Sequence, residues 1–77
     1  MANHFINLWS AEHQAWGRYP APADWSFGKC IYTAETIRNG YGIEAYVEGD
    51  LVGELAAKAG ISRAQAEIEY ERPEWAA

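Results

Sequence analysis

Residues 50–71 read DLVGELAAKAGISRAQAEIEYE, and two helices with a turn between them are written into that stretch. Leu51, Val52, Leu55 and Ala59 recur at helical spacing. Asp50 stands ahead of them as an N-cap, a side-chain oxygen able to accept from an otherwise orphaned amide. Gly60 is placed to end the helix in the left-handed conformation, and Ser62 follows as the cap of a second helix. Gly53 is the weak point of the first, about 1 kcal/mol worse than alanine in a helix interior. In the second helix Glu67, Glu69 and Glu71 fall on several faces, which leaves Ala64 and Ile68, with Ala66 beside them, to pack. Pro73 ends it, and the tail carries Trp75.

Working outward, Gly49 separates this pair from Ile43–Glu48, where Ile43, Ala45 and Val47 alternate with Glu44, Tyr46 and Glu48 as on a half-buried strand. Before it stands Asn39-Gly40, the strongest short hairpin signal, because both turn positions favour positive φ. Trp25–Ile37 (WSFGKCIYTAETI) reads as the partner strand, with Phe27, Ile31 and Thr33 beside Trp25 on one face and Cys30, Tyr32 and Ala34 on the other. Gly17–Asp24 (GRYPAPAD) carries two prolines in three residues, which forbids a helix interior or a central strand. It predicts an extended surface connector. At the start, Phe5, Ile6, Leu8, Trp9 and Trp16 come in pairs, closer to a 3.6 period than to alternation. That spacing predicts a helix over Asn3–Trp16 capped by Asn3, or else a strand Phe5–Trp9 followed by a short helix capped by Ser10. The fold expected is therefore α+β in one domain, residues 1–77: an N-terminal helix, an antiparallel hairpin with room for a third strand, and a C-terminal helix-turn-helix pair.

Composition narrows the function. The chain has 77 residues and a net charge of −5. Residues 1–42 hold three acids and three bases, whereas residues 43–77 hold eight acids and three bases, so the whole −5 sits in the C-terminal 35 residues. Such a surface repels phosphate and attracts a basic partner. Four Trp and five Tyr predict that a few large rings, about 150–250 Å² each, build much of the core. The lone Cys30 excludes an internal disulfide and reads as a small apolar filler. With no basic-then-apolar leader and no apolar run of membrane-spanning length, the expected compartment is the cytoplasm.

Two short resemblances qualify this picture. ELAAKAGISRAQAE (54–67) is similar to the opening helices of HU-type histone-like proteins, which implies a helix pair used in dimer packing and keeps a small homo-oligomer open. The long basic arms of that family are missing. Glu12-His13-Gln14, Trp16 and Pro22-Ala23-Asp24-Trp25 resemble pieces of MbtH-like proteins, non-catalytic partners of adenylation domains, which would make the chain an accessory protein of a larger enzyme. The Ser-Leu-Trp-Pro segment and the later Trp-Thr-Asp-x-Arg-Pro segment of that family are absent, and Asp24 stands where it has glycine.

Catalytic signals are sparse. His4 and His13 lie nine residues apart with no acid at matching spacing, so no metal or cofactor site is expected. Ser10, Ser26 and Ser62 lack a nucleophile-elbow context, and the glycines form no phosphate loop. The expected function is a non-catalytic protein-binding module. It would be a small acidic stoichiometric inhibitor that covers a basic, nucleic-acid-binding surface of a larger protein, in the manner of phage anti-defence (anti-CRISPR) proteins. The residues expected to meet the partner are Glu44, Tyr46, Glu48, Asp50, Glu67, Glu69, Glu71, Glu74 and Trp75. The alternative is a helix-turn-helix DNA-binding regulator that reads bases with Arg63 and Gln65.

Overall fold

In the computed structural model, which describes residues 3–71, the chain opens with strands and not with the expected helix. Strand β1 (Phe5–Ser10) and strand β2 (Ala15–Pro20) form an antiparallel hairpin, with Ile6 opposite Tyr19, Leu8 opposite Gly17 and Trp9 opposite Trp16. The four-residue loop is closed by the amide of His13 donating to Ser10 Oγ at 3.1 Å and by Gln14 at φ 51°. The helix expectation failed for a physical reason. β1 is the central strand of the sheet, so both of its faces carry apolar groups, and a two-faced strand imitates the paired spacing of an amphipathic helix. The strand half of the alternative reading, Phe5–Trp9, matches β1, and Ser10 closes a hairpin loop where that reading had it cap a helix.

The expected connector begins inside β2. Pro20 is tolerated there because β2 lies at the edge of the sheet, whose order is β2-β1-β3.

The larger correction concerns residues 25–41. Helix α1 (Phe27–Tyr41) occupies the place of the expected strand. Ser26 caps it, its hydroxyl accepting from the Lys29 amide at 3.0 Å. Cys30 and Ala34 are its buried residues, with Ile31 and Ile37 packed beside them, which is the i, i+4, i+7 stripe of a helix. Asn39-Gly40 is no turn at all; both residues lie within α1, and Gly42 at φ 68° ends it, its amide donating to Arg38 O. Strand β3 (Ala45–Val47) keeps part of the expected returning strand. Its partner is β1, antiparallel, with Val47 opposite Ile6 and Ala45 opposite Leu8.

Helix α2 (Leu51–Ala59) and helix α3 (Arg63–Glu71) follow as expected. Asp50 caps α2, Gly60 ends it at φ 70°, and Ser62 Oγ accepts from the Gln65 amide at 3.1 Å. Ala66 is the buried residue of α3; Ala64 and Ile68, expected to pack, are exposed.

The fold is thus a small α+β arrangement of three antiparallel strands and three helices. α1 covers one face of the sheet. The core between them holds Ile6, Ala21, Cys30, Ala34, Ala45 and Val47, with Leu8, Trp25, Ile31 and Ile37 packed against it. It is built from small side chains, contrary to the expectation of large rings. Tyr32 and Tyr41 are each 73% exposed, while Tyr46 is buried.

Candidate interaction surfaces

Antiparallel pairing puts Phe5, Asn7 and Trp9 of β1 on the same sheet face as Trp16 and Arg18 of β2 and Tyr46 of β3. Glu44 and Glu48, two residues either side of Tyr46, flank that face. This is the face opposite α1.

At one end Arg18 forms a two-pronged ion pair with Glu48, Nε to Oε2 at 2.5 Å and Nη2 to Oε1 at 3.0 Å. Asn7 Nδ2 donates to the same carboxylate at 3.1 Å, and the guanidinium carbon lies 3.6 Å from the Phe5 ring centroid. The Arg18 hydrogen bond, aided by that of Asn7, holds the Glu48 carboxyl below its ordinary range. At the other end the Trp9 and Trp16 rings stand 5.5 Å apart at 64°, and Trp16 meets Tyr46 at 5.1 Å and 72°. The ammonium of Lys58 is 5.5 Å from the Tyr46 ring centroid and pairs with Glu54 Oε2 at 2.6 Å. Trp9, Trp16 and Glu44, with the Ala57–Gly60 end of α2, line an open groove of about 430 Å³.

Two arginines fasten the helices. Arg38 of α1 donates to Glu44 Oε1 at 2.6 Å and to the carbonyl of Ile61 at 2.7 Å, tying the end of α1 to the turn between α2 and α3. Arg63 of α3 reaches back across α2 to Asp50, with Nη1 to Oδ2 at 2.7 Å and Nη2 to Oδ1 at 3.0 Å. Glu35 of α1 stands 3.9 Å from the same guanidinium. The Asp50 side chain is only 8% exposed, and its Oδ1 also accepts from the Gly53 amide. The Asp50 hydrogen bond raises the Arg63 pKa above its ordinary value.

The residues expected to meet a partner therefore divide. Glu44, Glu48 and Asp50 are each paired with an arginine of the chain itself, and Tyr46 is buried beneath Trp16 and Lys58. Glu67, Glu69 and Glu71 are exposed on α3. Glu67 lies 3.6 Å from Arg63, whose shorter contacts go to Asp50, and Glu69 accepts from Gln65 at 3.4 Å. Glu74 and Trp75 lie outside the described residues. Among the described residues, four of the five cations (Arg18, Arg38, Lys58 and Arg63) each neutralise an acid of residues 44–54. Among the described residues of the C-terminal part, the uncompensated negative charge is consequently concentrated on α3. At the centre of its outward face stands Ile68, 63% exposed, with Ala64 one turn before it.

Sequence reasoning missed the Trp9–Trp16 groove. Its signal was a directly opposed cross-strand pair, invisible until the first segment is read as a hairpin. Arg63 and Gln65, the candidate base readers, both have partners within the chain. His4 packs its ring against Phe27 at 5.4 Å, His13 is exposed in the hairpin loop, and Cys30 is fully buried. Among the described residues no group of three or more His, Cys, Asp or Glu side chains is placed to hold a metal ion, and no helix is long and apolar enough to cross a membrane. No family model, curated protein or solved structure matches the chain.

Proposed function

We propose that this chain is a non-catalytic binding module whose α3 docks on a basic surface of a larger protein. The observation that carries the reading is the distribution of charge compensation. Acids in residues 44–54 are each paired with a cation of the chain, whereas Glu67, Glu69 and Glu71 present carboxylates around an exposed Ile68 on a helix that buries little more than Ala66. An apolar anchor ringed by like charge is the pattern of a binding helix: burial of the anchor supplies affinity, and the charges steer encounter and select the partner. A chain of this size acting on a basic, nucleic-acid-binding groove would work as a stoichiometric inhibitor, excluding nucleic acid by occupying its place, as phage anti-defence proteins do. Direct DNA reading by the helix pair is the weaker alternative. Arg63 and Gln65 are engaged at home, and the carboxylates of α3 would face phosphate.

The test is a matched affinity capture from a bacterial lysate at about 0.1 M and about 0.5 M salt, where screening lengths differ roughly twofold. It uses the native chain and an E67K/E69K/E71K variant whose fold is verified by circular dichroism. A protein retained by the native chain at low salt, weakened at high salt and lost with the variant supports the reading. Equal retention by both chains refutes it, and micromolar binding of the native chain to random duplex DNA would favour the alternative.

A further inference from the structure

The groove at the end of the sheet has the makings of a cation site. Its two indole planes meet at 64° with centroids 5.5 Å apart, forming two walls of an aromatic corner, and Trp9 is 37% exposed there. The third side is Glu44, about one-third exposed; Arg38 bonds its Oε1 at 2.6 Å, and Oε2 has no hydrogen-bond partner among the described residues. The floor is the last turn of α2, whose Ala56 carbonyl is already taken by the amides of Gly60 and Ile61 and by Arg38 Nη2 at 3.3 Å, so the attraction for a cation rests on the rings and Glu44. Lys58, the one cation at the rim, is held by Glu54 at 2.6 Å. Ring faces and a free carboxylate oxygen both favour positive charge.

We infer that this groove binds a guanidinium group, the side chain of an arginine on the partner. Arginine fits better than lysine because its planar head can stack on an indole while donating in-plane hydrogen bonds to Glu44. The inference deepens the proposed function by naming a second contact for the same basic partner, on the sheet and distinct from α3. Its chemistry, though, can be tested without any partner.

N-acetylarginine amide is titrated into the intact chain, with the isosteric neutral N-acetylcitrulline amide as control. Binding is followed by the indole N–H resonances of Trp9 and Trp16. The arginine derivative is expected to shift both resonances with a dissociation constant of roughly 1–10 mM, and the citrulline derivative to leave them in place. Glu44→Gln should weaken binding about tenfold or more, as the loss of a charge-assisted contact requires. Because that change also releases Arg38, Trp9→Leu serves as a second variant that removes a ring wall and keeps apolar bulk; it too should weaken binding. Equal shifts with citrulline, or undiminished binding in both variants, would overturn the assignment. The E67K/E69K/E71K chain should keep the arginine response, so failure of α3 docking and failure of the cation site give different results.

Discussion

Asp50 does two things at once, and the consequences are large for a single side chain. It caps α2 through Gly53, holds both terminal nitrogens of Arg63, and is nearly buried while doing so. Asp50→Ala removes the cap, worth about 1 kcal/mol, and leaves a part-buried arginine only its longer contacts to Glu35 and Glu67, which costs more. A loss of about 2–4 kcal/mol in the free energy of urea unfolding is expected, with Asp50→Asn, which retains the cap, falling between. Gly53 reverses its sequence-level meaning. On propensity alone Gly53→Ala should stabilise a helix by about 1 kcal/mol. In the fold, a Cβ there would stand 2.9 Å from Asp50 Cγ and 3.3 Å from Arg63 Nη1. The clamp between those two side chains passes over the glycine, so Gly53→Ala should lower the midpoint of thermal unfolding. A raised midpoint would show that the clamp yields at little cost.

Among the elements, α1 is the instructive one. Ile31, Thr33, Thr36 and Ile37 are β-branched and lean toward strand, yet the segment is helical because the register of Cys30, Ala34 and Ile37 buries one face against the sheet. The threonine hydroxyls bond back to the carbonyls of Lys29 and Tyr32, at 2.8 and 2.9 Å, and are thereby satisfied within the helix. Asn39-Gly40 lost its hairpin role because neither residue takes positive φ; that conformation falls to Gly42. This makes a sharp prediction. An added Cβ at Gly40 meets nothing within 4 Å, so Gly40→Ala should stabilise the protein by up to about 1 kcal/mol. A hairpin turn at that position would instead be destabilised by the same change, and chemical denaturation separates the two outcomes.

On the scale of the whole molecule, arginines join segments distant in sequence: Arg18 pairs with Glu48, Arg63 with Asp50, and Arg38 donates to the Ile61 carbonyl. They fasten β2 to the end of β3, α3 to the cap of α2, and the turn between those two helices to α1. The response of the ion pairs to acid has a definite sign. Glu48 is held below its ordinary range, first by Arg18 and then by Asn7, so its folded pKa lies under the unfolded value of about 4.3. The stability it supplies is complete above that value and is lost as pH falls through the folded one. The native chain and a Glu48→Gln variant should therefore differ in unfolding free energy at about pH 7 and converge below about pH 4. A difference that persists unchanged into acid would mean that Glu48 acts without its charge.

The sequence by itself determined the C-terminal helix pair down to its caps, because Asp50, Gly60 and Ser62 act on neighbours within four residues and need no distant partner. The total acidity and the α+β class were legible for the same reason: composition and local period carry them. Only the tertiary structure decided that the first segment is a hairpin, that residues 27–41 wind into a helix, and which carboxylates remain uncompensated. Those outcomes depend on which face another element covers and on arginines 6 to 30 residues away along the chain. The groove between Trp9, Trp16 and Glu44 belongs to the same class, since it takes residues from two paired strands, from the segment ahead of β3 and from the end of α2, which only the tertiary fold brings together.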